Sequence, residues 1–242
     1  MSFFDALRRF FKPTPEEKAD KLRRRIMNMY GQTDERRYAL SQLFAMDPEL
    51  AAPRLIARFT CQCENNTVDS EEKEYTKNLL VEIGEPAVEP LEQFLRNNDK
   101  DFSWPYRALS EILSHGALVK FVVELLNSIG PDYVRDPERK EQLILTVKSF
   151  FEDDVKLAVL PYLGDDNETI RFVAADTVIS HAHPKGIEAL SARLATENSQ
   201  RVLTLIATAF RDKEWIVSEA DREAVSSNLP SEFRLNPNGQ IL

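Results

Sequence analysis

The stretch that decides the fold is LGDDNETIRFVAA, residues 163–175. It contains a small residue, Ala174, and a basic residue three positions earlier, Arg171. The same pair of slots recurs along the chain. The small slot holds Ala39, Thr76, Ala108, Ala174 and Thr204, and the earlier slot holds Arg36, Lys73, Pro105, Arg171 and Arg201. The intervals are 37, 32, 66 and 30 residues, and the longest equals two repeats because the repeat near residue 138 diverges.

A repeat of this length predicts stacked supersecondary units that share one core. A small side chain lets the helix of the next repeat approach closely. The basic side chain one turn earlier is placed to hydrogen-bond across the boundary between repeats, called the seam below. We therefore predict that Arg36, Ala39, Ala108, Arg171, Ala174 and Arg201 are structural seam residues.

The apolar pattern is helical nearly everywhere. Leu143, Ile144, Val147, Phe150 and Phe151 follow one helix face. We count about twelve helices of roughly 10–16 residues, separated by short breaks. Only 7 of the 242 residues are glycine, which argues against an all-β or a dinucleotide-binding fold. The prediction is an all-α fold.

Prolines mark the second helix of several pairs. The strings LAAP, AVEP and AVLP end at Pro53, Pro90 and Pro161. A proline is tolerated in the first turn of a helix, because those N–H groups have no partner within the helix. We expect Pro53 and Pro90 at such positions, and Pro161 deeper in a helix that it bends.

Residues 163–175 resemble the first helix of a HEAT repeat of the bacterial HEAT-like, phycobilisome-lyase-type subgroup, and IGEPAVEPL, residues 83–91, is similar to its turn and second helix. The resemblance covers roughly residues 15–228. It implies an α-solenoid, a HEAT-like superhelix of about six stacked antiparallel helix pairs. In HEAT families the second helices line the concave binding side.

Charge divides the chain unevenly. Residues 1–30 hold eight basic and four acidic residues, a net charge of +4. The whole chain has a net charge of −9, so the other 212 residues have a net charge of −13. Residues 61–103 alone have eleven acids and four bases. We divide the chain into a basic amphipathic segment (residues 1–14), the solenoid (15–228) and a C-terminal tail (229–242). An acidic surface would select a basic partner and disfavour nucleic acid.

The first twelve residues place Phe3, Phe4, Phe10 and Phe11 at helical spacing, with basic residues opposite. A cap on the end of the solenoid core is one interpretation. Docking to a partner groove or to an anionic membrane is the other, and membrane contact is expected only through residues 1–12.

Other candidates carry weaker signals. Trp104 and Tyr106 stand at a helix start and could anchor a partner or act as buried staples. The residues from Cys61 to Glu74 predict a long loop that could bind something. In the acidic runs, Asp153 or Asp154 is expected as an N-cap, and most other acids as solvated. Cys61, Cys63 and the three histidines lack the spacing of a zinc site, so no metal site is predicted.

Enzyme motifs are missing from the sequence, including phosphate-binding glycine loops, the nucleophile elbow and H-E-x-x-H. We expect a non-catalytic, cytoplasmic, bacterial scaffold without cofactor that binds a protein on its concave face. The alternatives are a HEAT-like enzyme of the chromophore-lyase or metal-hydroxylase type, or a membrane-peripheral adaptor that uses residues 1–12. The oligomeric state stays open.

Overall fold

The structure, a computed structural model, describes residues 13–242, so the predicted amphipathic segment with Phe3, Phe4, Phe10 and Phe11 lies outside the described residues. Every regular element in this range is helical, and only two isolated β-bridges accompany the helices. The α-helices are α1 (Pro15–Ile26), α2 (Thr33–Phe44), α3 (Pro48–Ile56), α4 (Asn66–Ile83), α5 (Val88–Asn97), α6 (Ser103–Ile112), α7 (His115–Ile129), α8 (Glu138–Val147), α9 (Asp153–Val159), α10 (Glu168–His181), α11 (Pro184–Thr196), α12 (Gln200–Asp212) and α13 (Arg222–Asn228). The predicted all-α class is confirmed.

The chain forms two compact units, of which unit 1 ends at His115 and unit 2 comprises Gly116–Leu242. In unit 1, α1 packs on α2 and α3. Helix α4 packs between α2 and α6, and α3 packs on α4 and α5. Alternate helices of unit 1 therefore contact each other as well as their sequence neighbours.

Unit 2 uses the same order of contacts. Helix α10 packs between α8 and α12, while α11 contacts α9 and α13. The C-terminal residues belong to this packed unit: the Val217 N–H donates to the carbonyl of Gly239 at 2.8 Å, and Phe233 and Ile241 are buried.

Side-chain caps fix where several helices begin. Thr14 and Glu17 form a reciprocal capping box at α1. The amide oxygens of Asn65 and Asn167 accept backbone N–H groups of the first turns of α4 and α10, and the Ser199 hydroxyl does so at α12. These short polar side chains satisfy donors that have no partner within the helix.

Two of the proline positions differ from the prediction. Pro53 lies inside α3, beyond its first turn, so it removes the donor that the carbonyl of Glu49 would otherwise use. Pro161 does not bend an α-helix. Helix α9 ends at Val159, and Pro161 stands at the start of a 3-10 segment, Leu160–Gly164. Pro90 lies in the first turn of α5 as expected.

The prediction of a long loop from Cys61 to Glu74 is wrong. Asn65 caps α4, which begins at Asn66, so only residues 61–65 form the connection. The polar residues that suggested a loop form the first two turns of a helix. The expected cap at Asp153 or Asp154 is also wrong, because Glu152 is the N-cap residue and both aspartates lie in the first turn of α9.

Gly186 marks a close approach between α10 and α11. A Cβ at this buried glycine would lie 2.8 Å from Val178 Cγ1, a separation that side-chain carbons do not tolerate. We expect Gly186→Ala to lower the free energy of unfolding by about 1–3 kcal/mol through overpacking. Urea unfolding checks this, and recovery in the double variant with Val178→Ala would identify the clash as the cause.

Ala182 ends α10 in the left-handed region, with φ 49° and ψ 34°. A β-carbon is unfavourable there, and this alanine is exposed, so glycine removes strain without losing packing. We expect Ala182→Gly to stabilise the chain by about 0.5–1 kcal/mol in thermal unfolding. Ala192→Gly, at an exposed interior position of α11, should instead destabilise by about 1 kcal/mol. Destabilisation by both variants would contradict the strain argument.

Candidate protein-binding groove

Buried ion pairs join successive repeats in unit 1. Arg36 on α2 reaches Glu72 on α4 through Nε and Nη2 at 2.9 Å, and Arg36 also donates to the carbonyl of Gly31. Arg58, which follows α3, binds the same carboxylate at 2.9 Å. The side chains of Glu72 and Arg58 are fully buried. A carboxylate shared by two guanidinium groups links three elements of the seam.

Asp69 extends this cluster. Its carboxylate accepts from Arg58 at 2.7 Å, from Lys73 at 2.9 Å and from the backbone N–H of Cys63 at 3.0 Å. Burial opposes ionisation of Asp69, but these donors outweigh it and hold its pKa below the usual value. Burial also raises the pKa of the Cys63 thiol. Asp69 and Glu72 are therefore buried partners, which corrects the expectation that the Asp69–Glu74 run is solvated.

Unit 2 contains two buried ion pairs of the same kind. Arg171 on α10 makes two contacts of 2.9 Å with Glu197, which follows α11. Lys140 on α8 binds Asp165 at 2.6 Å, and both side chains are buried. The sequence comparison missed Lys140 because the repeat near 138 diverges, although its lysine lies on the apolar face of that helix.

The small seam residues Ala39, Ala108 and Ala174 are completely buried, as is Thr76. Arg201 differs from Arg36 and Arg171, since its side chain is 56% exposed. It lies over the Phe172 ring at 3.7 Å and 3.6 Å from the Glu168 carboxylate. Arg201 on α12 therefore contacts an acid and an aromatic ring of α10, at an exposed part of the boundary rather than in a buried ion pair.

The aromatic candidates lie on α6 in unit 1. Trp104 is half-buried and stacks under Arg107, whose guanidinium carbon lies 4.5 Å from the ring centre. Tyr106 is also half-buried and stacks on Phe102, with ring centres 5.3 Å apart. Burial raises the pKa of Tyr106 to about 12. Both rings have defined structural contacts, and Trp104 also lines a surface cavity beside Tyr75.

An open concavity lies between α3 and α5. It consists of two adjoining cavities of about 470 and 370 Å³ that share Glu89 and Pro90. We call it the α3–α5 groove. Its apolar lining comprises Pro53, Ile56, Pro86, Val88, Pro90 and Phe94.

The polar lining of the groove is acidic. Glu49, Glu85 and Glu89 are exposed, and the remaining polar lining residues are the amides Gln93, Asn97 and Asn98. No lysine or arginine lines either cavity among residues 13–242. Across the same residues none of the three carboxylates lies within 4.0 Å of a basic nitrogen. The amide of Gln93 donates to Glu89 at 3.1 Å.

No cysteine or histidine is among the residues that line this groove. Cys61 and Cys63 are buried free thiols, and His181 hydrogen-bonds through Nε2 with the carbonyl of Val147 at 3.2 Å. Burial lowers the pKa of His181. Within the described part of the chain, no three His, Cys, Asp or Glu side chains are arranged to hold a metal ion. No helix there has the length and apolarity that crossing a bilayer requires.

The lining of the α3–α5 groove contains three prolines and three carboxylates beside apolar carbons. It lacks a nucleophile–base pair among the residues that line it. Comparisons with family models, with curated proteins and with solved structures found no match.

Proposed function

We propose that the helices of each unit form consecutive pairs of HEAT-like α-solenoid repeats. The order of contacts within each unit supports this, because α2, α4 and α6 pack in succession, as do α8, α10 and α12. The buried ion pair Arg36–Glu72 joins α2 to α4, the first helices of two successive pairs. The resemblance of residues 163–175 to a HEAT repeat supports the same proposal.

The proposed function is non-catalytic binding of a protein partner in the α3–α5 groove. The observation that carries the proposal is the grouping of three exposed carboxylates beside apolar lining residues, with no basic nitrogen of residues 13–242 within 4.0 Å of any of the three. Second helices also form the concave binding side in the HEAT families that the sequence resembles. The partner that fits is a basic segment with apolar side chains.

Electrostatics favour this class of partner in two ways. Glu49 on α3 faces the groove from one wall and Glu85 and Glu89 from the other, and a cationic segment relieves the repulsion among these like charges. Apolar contact with Pro53, Pro90 and Phe94 adds binding free energy in proportion to the apolar area that is buried. Surface ion pairs alone contribute little. We therefore expect binding to weaken with salt without being abolished.

The test is affinity capture from cells that express this chain, followed by quantitative mass spectrometry. A groove variant with Glu85→Lys and Glu89→Lys is compared with the wild type. The proposal expects specific partners to be depleted at least tenfold in the groove variant, since two attractive charges become repulsive.

A matched variant with Glu188→Lys and Glu223→Lys makes the same change in charge at exposed positions of unit 2. It should retain the partners. Equal loss in both variants would show that net charge, not the groove, determines capture, and unchanged capture in the groove variant would contradict the proposal.

A further inference from the structure

The chain itself contains a segment with the chemistry that the α3–α5 groove selects. Residues 1–12 carry Phe3, Phe4, Phe10 and Phe11 together with Arg8, Arg9 and Lys12, against the single acid Asp5. This segment therefore combines large apolar side chains with a net positive charge. The groove offers the complementary chemistry, namely apolar lining residues and exposed carboxylates that make no ion pair with the described part of the chain.

The first described helix packs on the helix that forms one wall of the groove. Helix α1 packs directly on α3, and Asp20 pairs with Arg54 at 2.9 Å. Arg54 is the chain neighbour of Pro53, which lines the groove. Twelve residues in extended form span up to about 40 Å. That length exceeds the spacing of roughly 8–10 Å between packed helices, so the segment can reach either wall.

We propose that residues 3–12 dock in the α3–α5 groove of the same chain. The phenylalanines supply apolar contact, and Arg8, Arg9 and Lys12 compensate Glu49, Glu85 and Glu89. An external partner must then displace residues 3–12 from the groove, so the segment would regulate partner binding. This regulatory consequence rests on the proposed function.

Tethering makes such a contact effective even when its intrinsic affinity is weak. A short linker gives an effective concentration in the millimolar range. An external partner then binds only the fraction of molecules whose groove is empty, so its apparent affinity falls by that fraction. Removing residues 1–12 is expected to strengthen partner binding several-fold.

Photo-crosslinking of the intact chain tests the docking itself. Gln93, exposed and in the groove, is replaced by p-benzoylphenylalanine, and crosslinked peptides are identified after irradiation and digestion. Tyr38 on α2 is the matched control site, because it is 59% exposed and α1 also packs on α2. Crosslinks to residues 3–12 from position 93, at least tenfold above those from position 38, are expected. Equal yields from both sites would overturn the proposal.

Charge exchange separates specific docking from chance encounter. In the position-93 protein, Glu85→Lys with Glu89→Lys should reduce the crosslink at least tenfold, and adding Arg8→Glu with Arg9→Glu should restore it. Circular dichroism confirms that each variant is folded. The docking proposal would be contradicted if the groove lysines left the crosslink yield unchanged. It would also be contradicted if the Arg8→Glu and Arg9→Glu changes did not restore the yield.

Two further arms identify other occupants. Mixing isotope-labelled and unlabelled chains shows whether the crosslink joins two copies, which would overturn the intramolecular proposal. Flotation with phosphatidylserine-containing vesicles tests the membrane alternative. Vesicle binding without any groove crosslink would also overturn the intramolecular proposal. If the crosslink is absent but partners still require the groove, this inference fails alone. If the crosslink forms but no partner requires the groove, the proposed function fails alone.

Discussion

Glu72→Ala is expected to lower the free energy of unfolding by about 3–5 kcal/mol, because it leaves two buried guanidinium groups without their shared carboxylate. Arg36 has no other carboxylate within salt-bridge distance among the described residues, whereas Arg58 retains Asp69. Desolvated cations are costly when they lose their partner. Chemical denaturation of the purified chain, followed by circular dichroism, measures the loss.

The neighbouring residue provides the control. Glu71 pairs with Arg37 at 3.1 Å, but both side chains are about half exposed, so Glu71→Ala should cost roughly 0–1 kcal/mol. A small, equal effect of the two substitutions would mean that the buried cluster does not contribute as its geometry indicates.

The second large effect is a dependence of stability on pH that arises from Glu197. Burial opposes its ionisation, but hydrogen bonds from Arg171 and Arg193 and from the Ser199 backbone outweigh burial and lower its pKa to about 2. The unfolded value is 4.5, so the stabilisation is complete above that pH and is lost as the pH falls towards 2. The difference corresponds to roughly 3 kcal/mol.

Glu197→Gln should remove this part of the acid sensitivity. Thermal unfolding of the wild type and the variant is measured from pH 5 down to pH 2, a range that spans the folded and unfolded pKa values. The quantity compared is the slope of stability against pH. Glu188→Gln on α11 is the control, because Glu188 is exposed and should leave the slope unchanged. An identical slope in the Glu197→Gln variant would show that this carboxylate does not link folding to pH.

The helical class was predictable because apolar periodicity is a local property of the sequence. Ala39, Ala108 and Ala174 were expected at close helix contacts, and all three are completely buried. The assignments that failed depend on competition between local signals. Polar residues after Asn65 resemble a loop, but the Asn65 cap and the burial of Asp69 against Arg58 make them a helix.

The position of Pro53 could not be derived from a repeated string, since the residue that begins a helix depends on its cap. Asp47 caps α3, which places Pro53 beyond the first turn. Arg201 has the expected spacing, but spacing does not say whether the site is buried, and its guanidinium lies exposed, 3.6 Å from the Glu168 carboxylate. Its neighbour in the fold is the ring of Phe172.

The groove was also beyond the reach of the sequence pattern. The acidic excess of residues 61–103 and the notion of a basic partner were readable from composition. Glu49 and Glu89 are forty residues apart in the chain. They line the same cavity only because α3 and α5 pack together. Which carboxylates are paired, as Glu72 is, and which are exposed, as Glu85 is, follows from tertiary contacts alone.

The central claim is that the α3–α5 groove binds a basic, apolar segment. Isothermal titration calorimetry of the captured partner against the wild type and the Glu85→Lys, Glu89→Lys variant tests it most directly, at low and at physiological salt. We expect a dissociation constant at least tenfold weaker for the variant, with a smaller salt dependence than the wild type shows. Equal dissociation constants for the two proteins at both salt concentrations would contradict it.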